Sequence, residues 1–315
     1  MAIGDTTINS GVSGSPSRQT AVPAKVAASG KSKAASRRSA SASRRPATKP
    51  ARPRRNSKPP IDTGVVIGTS GWSYAGWRGA FYPAGLAQKN WLAWYGDQFP
   101  TTEINGSFYR TPTLKAVETW RKATPPGFVF AWKASKFITH WKRLNETSAN
   151  SVALMETRLK VLGPKLGPVL FQLPARFEAN CDRLKQFLTM LPRRYRYTFE
   201  FRHHSWYTPP VFDLLREFNV SLCLADHHLA PAPWVATAGH VYVRGHGPDG
   251  RYRDNYPDAT LSKWARHIRK WRREDRSVYV YFDNDQKSAA PTDARRLIEM
   301  LGRQVSGAPR FDGRH

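Results

Sequence analysis

From residue 65 onward, short runs of β-branched and aromatic residues alternate with longer stretches, most of which carry helical periodicity. The runs fall at 65–69, 101–105, 128–133, 168–172, 197–202, 220–226, 240–244 and 278–283. Helical segments fit between and after them at 87–99, 114–123, 148–162, 182–191, 209–218, 261–272 and 292–301. This order is that of repeated βα units around a parallel sheet. Eight strands over about 240 residues match an α/β protein of the eight-stranded (β/α) barrel type, whereas an open doubly wound sheet more often stops at five or six. The sixth crossover, 229–239, contains Pro231 and Pro233 and is too short for a good helix, so one βα unit is expected to be degenerate. Runs such as 168–172, 220–224 and 278–282 are nearly all apolar, as strands covered on both faces should be.

The first 60 residues have a different composition. They contain no aromatic residue and carry 13 Lys or Arg against a single acid, Asp5, within a chain of formal net charge +27. Such a segment cannot bury enough apolar surface to offset the entropy of ordering it, so a disordered basic tail is expected over 1–60, a barrel over 61–303 and a flexible end over 304–315. The charge favours an anionic partner, either a small molecule or nucleic acid. A solvated tail and an organellar targeting peptide are the competing readings, and the prolines argue against the latter's continuous amphipathic helix. No apolar run reaches the length of a membrane span and no secretory segment is evident, which gives a cytoplasmic expectation without membrane contact. Cys181 and Cys223 are read as buried free thiols. The oligomeric state has no signature in the sequence.

Polar residues interrupt the apolar pattern where strands end. They are Ser70, Glu103 and Asn105, Lys133, Gln172, Glu200 with Arg202 and His203, Asp226, Arg244 with His246, and Asp283-Asn284-Asp285. In a barrel these ends converge on one mouth. Residues two apart share a face, so Glu200 points with Arg202 and Arg244 with Tyr242, while Phe199 and Phe201 point to the helices. The ring holds cations for an anion (Lys133, Arg202, Arg244) and carboxylates for proton transfer (Glu103, Glu200, Asp226), with His203 beside them. An architectural reading competes, in which Glu200–Arg202 and Glu103–Lys133 are ion pairs only. The segment after Ser70 is read either as an anion-binding turn or as a tight turn followed by aromatic packing. A single divalent cation near Asp226 or Asp283 is allowed for and no other cofactor is expected. Lys133, Gln172 and Arg244 argue against a multinuclear zinc site. A Schiff-base role for Lys133 is a minor alternative.

Seven ordered motifs sit on these same residues: IGTSGWSYAGWRGAFYP at 67–83, TEINGSFYRTP at 102–112, GFVFAWKASKFITH at 127–140, LGPVLFQLP at 166–174, FEFRHHSW at 199–206, YVRGHG at 242–247 and VYVYFDNDQ at 278–286. Together they resemble the YecE-like family, a domain of unknown function. The resemblance implies a TIM-type barrel with functional positions at Ser70, Glu103, Asn105, Tyr109, Lys133, Gln172, Glu200, Arg202, His203, Asp226, Arg244, His246 and Asn284. It implies no reaction. Two departures stand out: Asp283 occupies a position that is usually Asn, and His204 one that is usually Pro. From the residues we expect a hydrolase or lyase acting on a phosphate-bearing substrate such as a phosphodiester or sugar phosphate. The alternative is a non-catalytic nucleic-acid-binding protein using tail and mouth.

Overall fold

The computed structural model describes residues 64–302; the expectations for 1–60 and 304–315 lie outside them. Eight parallel strands close in chain order into a barrel. They are β1 (Val65–Ser70), β2 (Thr101–Ile104), β3 (Val129–Lys133), β4 (Leu166–Gln172), β5 (Tyr197–Glu200), β6 (Ser221–Ala225), β7 (His240–Gly245) and β8 (Ser277–Phe282). The ring is sealed by β8 against β1, where five residues of each strand pair in register from Val65–Val278 to Thr69–Phe282. Outside lie α1 (Trp91–Gln98), α2 (Leu114–Ala123), α3 (Ala149–Leu162), α4 (Cys181–Met190), α5 (Pro209–Glu217), α6 (Asp258–Arg273) and α7 (Ala289–Leu301). Between β6 and β7 no helix forms. Pro231 and Pro233 lack the N–H groups that a helix interior would need.

Alternation sorts the side chains. Val278, Val280 and Phe282 of β8 join the large apolar cluster under the helices, as do Phe199 and Phe201 near β5. Phe201 stacks on Trp206 with ring centres 4.6 Å apart. The opposite positions fill the barrel interior, where Val66, Val129, Ala131, Leu170, Cys223, Tyr242, Tyr279 and Tyr281 form a second cluster. Trp91 and Tyr95 are buried and Trp94 packs partly buried beside them, as their helical spacing suggests.

Some boundaries differ from those expected, for local reasons. β4 begins two residues early, at Leu166, and its register against β3 shifts between Phe130 and Trp132. Pro168, which has no ladder donor, is thereby accommodated at an irregularity. α7 starts at Ala289, ahead of Pro291, because proline is tolerated in a first turn. α6 likewise starts at Asp258, whose carboxylate suits a helix N-terminus. Cys223 is buried, but Cys181 is exposed. It opens α4 directly after the Asn180 cap, at the end of the helix and not along its buried run of Leu184, Phe187 and Leu188.

Candidate active site

The inward residues at the strand ends meet in a buried charged floor. Arg244 of β7 has no solvent exposure. Its Nη1 donates to Glu200 Oε2 of β5 at 2.8 Å, while Nη2 reaches Glu103 Oε1 of β2 at 2.9 Å and Asp283 Oδ2, just past β8, at 2.8 Å. Ser70, the last residue of β1, donates its hydroxyl to Glu103 Oε1. Tyr242, two residues before Arg244, donates to Glu103 Oε2 at 2.6 Å. Arg202 donates through Nε to Glu200 Oε1 and through Nη1 to the Tyr252 hydroxyl at 3.0 Å. Burial alone would raise the Glu200 pKa, but the charges of Arg202 and then Arg244 outweigh it and pull it to about 2. Asp283 goes the other way: burial raises it despite Arg244 and Lys133.

His246 links this floor to Asp226. Its Nε2 faces two guanidinium donors, Arg202 Nη2 at 3.1 Å and Arg244 Nη1 at 3.2 Å. Guanidinium cannot accept, so Nε2 must, and the proton sits on Nδ1, 3.2 Å from Asp226 Oδ1. The imidazole is therefore neutral. Burial, with the charges of Arg202 and Arg244, holds its pKa well below the ordinary value. Asp226 Oδ1 also accepts the His246 backbone N–H at 2.7 Å, and Oδ2 accepts the Tyr256 hydroxyl. Burial lifts the Asp226 pKa to about 6 against those hydrogen bonds, and its side chain remains partly open to solvent. The loop that supplies Tyr252 and Tyr256 folds back over the mouth at Gly247. A Cβ there would stand 2.1 Å from the Arg253 carbonyl oxygen, and its φ is +93°, so the turn requires glycine.

Lys133, at the end of β3, is 5% exposed. Its ammonium donates to Asn105 Oδ1 at 3.0 Å and lies 4.6 Å from the centre of the Phe108 ring. Among the described residues no carboxylate forms a salt bridge to it within 4.0 Å. Burial, and next the charge of Arg244, lowers its pKa to about 8. Asn105 also borders a cleft of about 350 Å³ between the loops after β1 and β2, which Trp72, Tyr74, Tyr109 and Trp120 line. The segment after Ser70 thus takes the aromatic-packing form, with Trp72 edge-on to Trp120 at 5.4 Å.

The mouth therefore assembles Ser70, Glu103, Asn105, Lys133, Glu200, Arg202, Asp226, Arg244 and His246. Of the two expected ion pairs Glu200–Arg202 forms, whereas Glu103 pairs with Arg244 and not with Lys133. Three expected residues point elsewhere. His203 Nδ1 accepts from the Ser205 N–H and caps a short 3-10 turn. Asn284 Nδ2 ties the end of β8 to Asp293 of α7 at 2.8 Å. Tyr109 is 67% exposed on the rim. Gln172 stands half-buried at the end of β4, in register with Glu200. Asp283, Tyr242, Tyr252 and Tyr256 complete the cluster. The first two carried a signal, adjacency to a strand end and an i−2 relation to Arg244, but the two loop tyrosines carried none. Among the described residues no group of three His, Cys, Asp or Glu side chains is placed to hold a metal ion. The oxygens of Asp226 and Oδ2 of Asp283 are engaged as described. No helix among these residues is long and apolar enough to cross a membrane.

Comparison with known proteins accords with this architecture. The chain is similar to UPF0759 protein YunF of Bacillus subtilis (strain 168), at 28% identity over 284 residues that span 78% of this chain and 98% of that protein. It is 30% identical to UPF0759 protein YecE of Escherichia coli (strain K12) over 144 residues, 45% of this chain and 50% of that one. Among solved structures, a DUF72 family protein of Thermotoga maritima MSB8 superposes with a TM-score of 0.69 at 25% identity, covering 76% of this chain and 99% of its own. A family model described as "Protein of unknown function DUF72" matches residues 66–313, and the chain belongs to that family.

Proposed function

We propose that the mouth is the active centre of a hydrolase or lyase acting on a phosphate-bearing substrate, with Lys133 receiving the anion and Asp226 moving the proton. The observation that carries this reading is the unequal pairing of the three cations. Arg244 and Arg202 each pair directly with carboxylates among Glu103, Glu200 and Asp283, whereas Lys133 meets only an amide oxygen and a ring face. A buried cation without a direct counter-ion is a ready partner for a phosphoryl oxygen. Glu103 and Glu200 are fully buried and engaged at both oxygens, so their part is to fix the guanidinium groups. Asp226, half-buried and with its pKa near 6, is the carboxylate suited to exchanging a proton near neutral pH. The His246 Nδ1–H and the Tyr256 hydroxyl orient it.

The test is hydrolysis of bis(p-nitrophenyl) phosphate and p-nitrophenyl phosphate by the full-length protein, followed as p-nitrophenolate release. Lys133→Ala should weaken substrate affinity, and Asp226→Asn should lower kcat by roughly 10²–10⁴-fold, the usual worth of a general acid or base. Binding of inorganic phosphate should fall as pH rises through about 8, where Lys133 loses its proton. Phosphate binding without turnover would favour the non-catalytic reading. Binding that Lys133→Ala leaves intact would refute the assignment of the anion site.

A further inference from the structure

Among the described residues only two aromatic side chains are strongly exposed, Tyr109 at 67% and Trp141 at 66%. Both stand on the rim, on the loops after β2 and β3. One ammonium serves both: Lys136 Nζ lies 5.8 Å from the Tyr109 ring centre and 5.6 Å from that of Trp141. Phe137 meets Trp141 edge-on at 5.6 Å, with Lys142 Nζ 5.5 Å from the Phe137 ring.

The backbone holding Trp141 outward is unusual. Phe137–Trp141 is a π-helical turn, and it is followed by two left-handed non-glycine residues, Arg143 at φ 45° and Leu144 at φ 63°. π-turns and left-handed non-glycine residues are both costly, and both concentrate at functional sites. Tyr109 also forms a wall of the 350 Å³ cleft together with Trp72 and Trp120, and Asn105, which lines the same cleft, contacts Lys133. Cations thus flank the rings of Trp141 and Tyr109, and the aromatic cleft beside Tyr109 reaches Asn105, the partner of Lys133.

We infer that this rim is a platform for single-stranded nucleic acid. Successive bases stack on Trp141 and Tyr109, the next enters the Trp72–Trp120 cleft, and the backbone phosphates run past Lys142 and Lys136 to Lys133. This deepens the proposed function by naming its substrate class, and only the last contact rests on that reading. Exposed rings suit any base, since each has a π-face, and flanking cations suit the phosphates. A carbohydrate would use the rings but leave Lys136 and Lys142 without counter-ions. Paired bases in a duplex cannot lie on the rings.

The experiment is fluorescence polarisation with the full-length protein and a fluorescein-labelled oligothymidylate of roughly 12 nucleotides, within the usual site size, against a blunt duplex of the same length. Tyr109→Ala and Trp141→Ala remove exposed side chains, and circular dichroism checks their fold. Each should weaken single-strand binding roughly 5- to 100-fold at fixed salt, the worth of one stacked base, with the salt slope unchanged. Lys136→Ala should reduce that slope by about 0.7, one phosphate contact on a single strand. Stacking should also quench tryptophan fluorescence, and Trp141→Ala should diminish that quenching. Aromatic variants that bind the strand within about twofold of the parent would overturn the inference, as would a duplex that binds equally and responds equally to them, because both outcomes describe general cation affinity. If the aromatic dependence holds while phosphate binding ignores Lys133, the platform stands and the proposed catalytic centre falls. The reverse pattern removes the platform alone.

Discussion

Replacing Arg244 by methionine keeps most of the side-chain volume and deletes the charge around which Glu103, Glu200 and Asp283 are arranged. Removing one partner of a buried pair costs about 3–5 kcal/mol, because the other partner is left charged and unpaired. For a folded unit of this size that corresponds to a fall in Tm of about 6–20 °C. The loss should depend on pH, with a definite sign. Glu200 titrates near 2 in the folded protein against an ordinary 4.5, so in the parent it stabilises above about 4.5 and loses that contribution as pH falls towards 2. The shift is worth about 3 kcal/mol. In the variant Glu200 keeps Arg202 but loses Arg244, and Asp283 loses its salt bridge; both then bind protons more readily when folded, so acid relieves the variant while it weakens the parent. Urea unfolding at pH 7.5 and at pH 4.5 measures both curves. The gap between them should be largest at pH 7.5 and narrow at pH 4.5. A gap below about 1 kcal/mol at pH 7.5, or one that does not change with pH, would refute the view that Arg244 offsets the charge of the floor carboxylates.

Tyr242→Phe removes only the hydroxyl that donates to Glu103 Oε2 and should cost about 1–3 kcal/mol in chemical denaturation, the penalty for a buried acceptor left unsatisfied. His246, held neutral by the guanidinium groups on its Nε2 side, should show no NMR titration between pH 5 and 8, and its ring nitrogens should report the Nδ1–H tautomer. Gly247→Ala forces a Cβ against the Arg253 carbonyl at positive φ. It should displace the loop that carries Tyr252 and Tyr256, and thermal unfolding should detect a loss of more than about 1 kcal/mol.

Period-two patterning was enough to place the barrel and to turn Glu200 and Arg202 inward, because each strand's own residues decide which face is apolar. Partner choice was a different matter. Glu103 and Lys133 stand on neighbouring strands and read as a pair, yet Glu103 pairs across the barrel with Arg244. Only closure decides which inward side chains meet. His203 shows another limit, since its neighbours made it look chemical while the local backbone used it as a cap. Asp283 lies on the floor, where it pairs with Arg244. Its importance depends on Arg244, which lies 39 residues away. Nothing in the residues around 137–141 announced a π-turn, whose backbone geometry follows from packing and not from periodicity.

The floor's contacts span 139 residues from Tyr242 to Glu103, 141 from Arg244 to Glu103 and 174 from Arg244 to Ser70. A chain that has formed its early strands therefore holds solvated carboxylates and no centre at all, and the mouth acquires its chemistry only when β7 is in place beside β6 and β8 closes the ring against β1. Loop closure over such distances is entropically slow. Pulse-labelled hydrogen exchange would then show the mouth amides becoming protected together, in the last kinetic phase, so that a partly folded molecule is chemically silent.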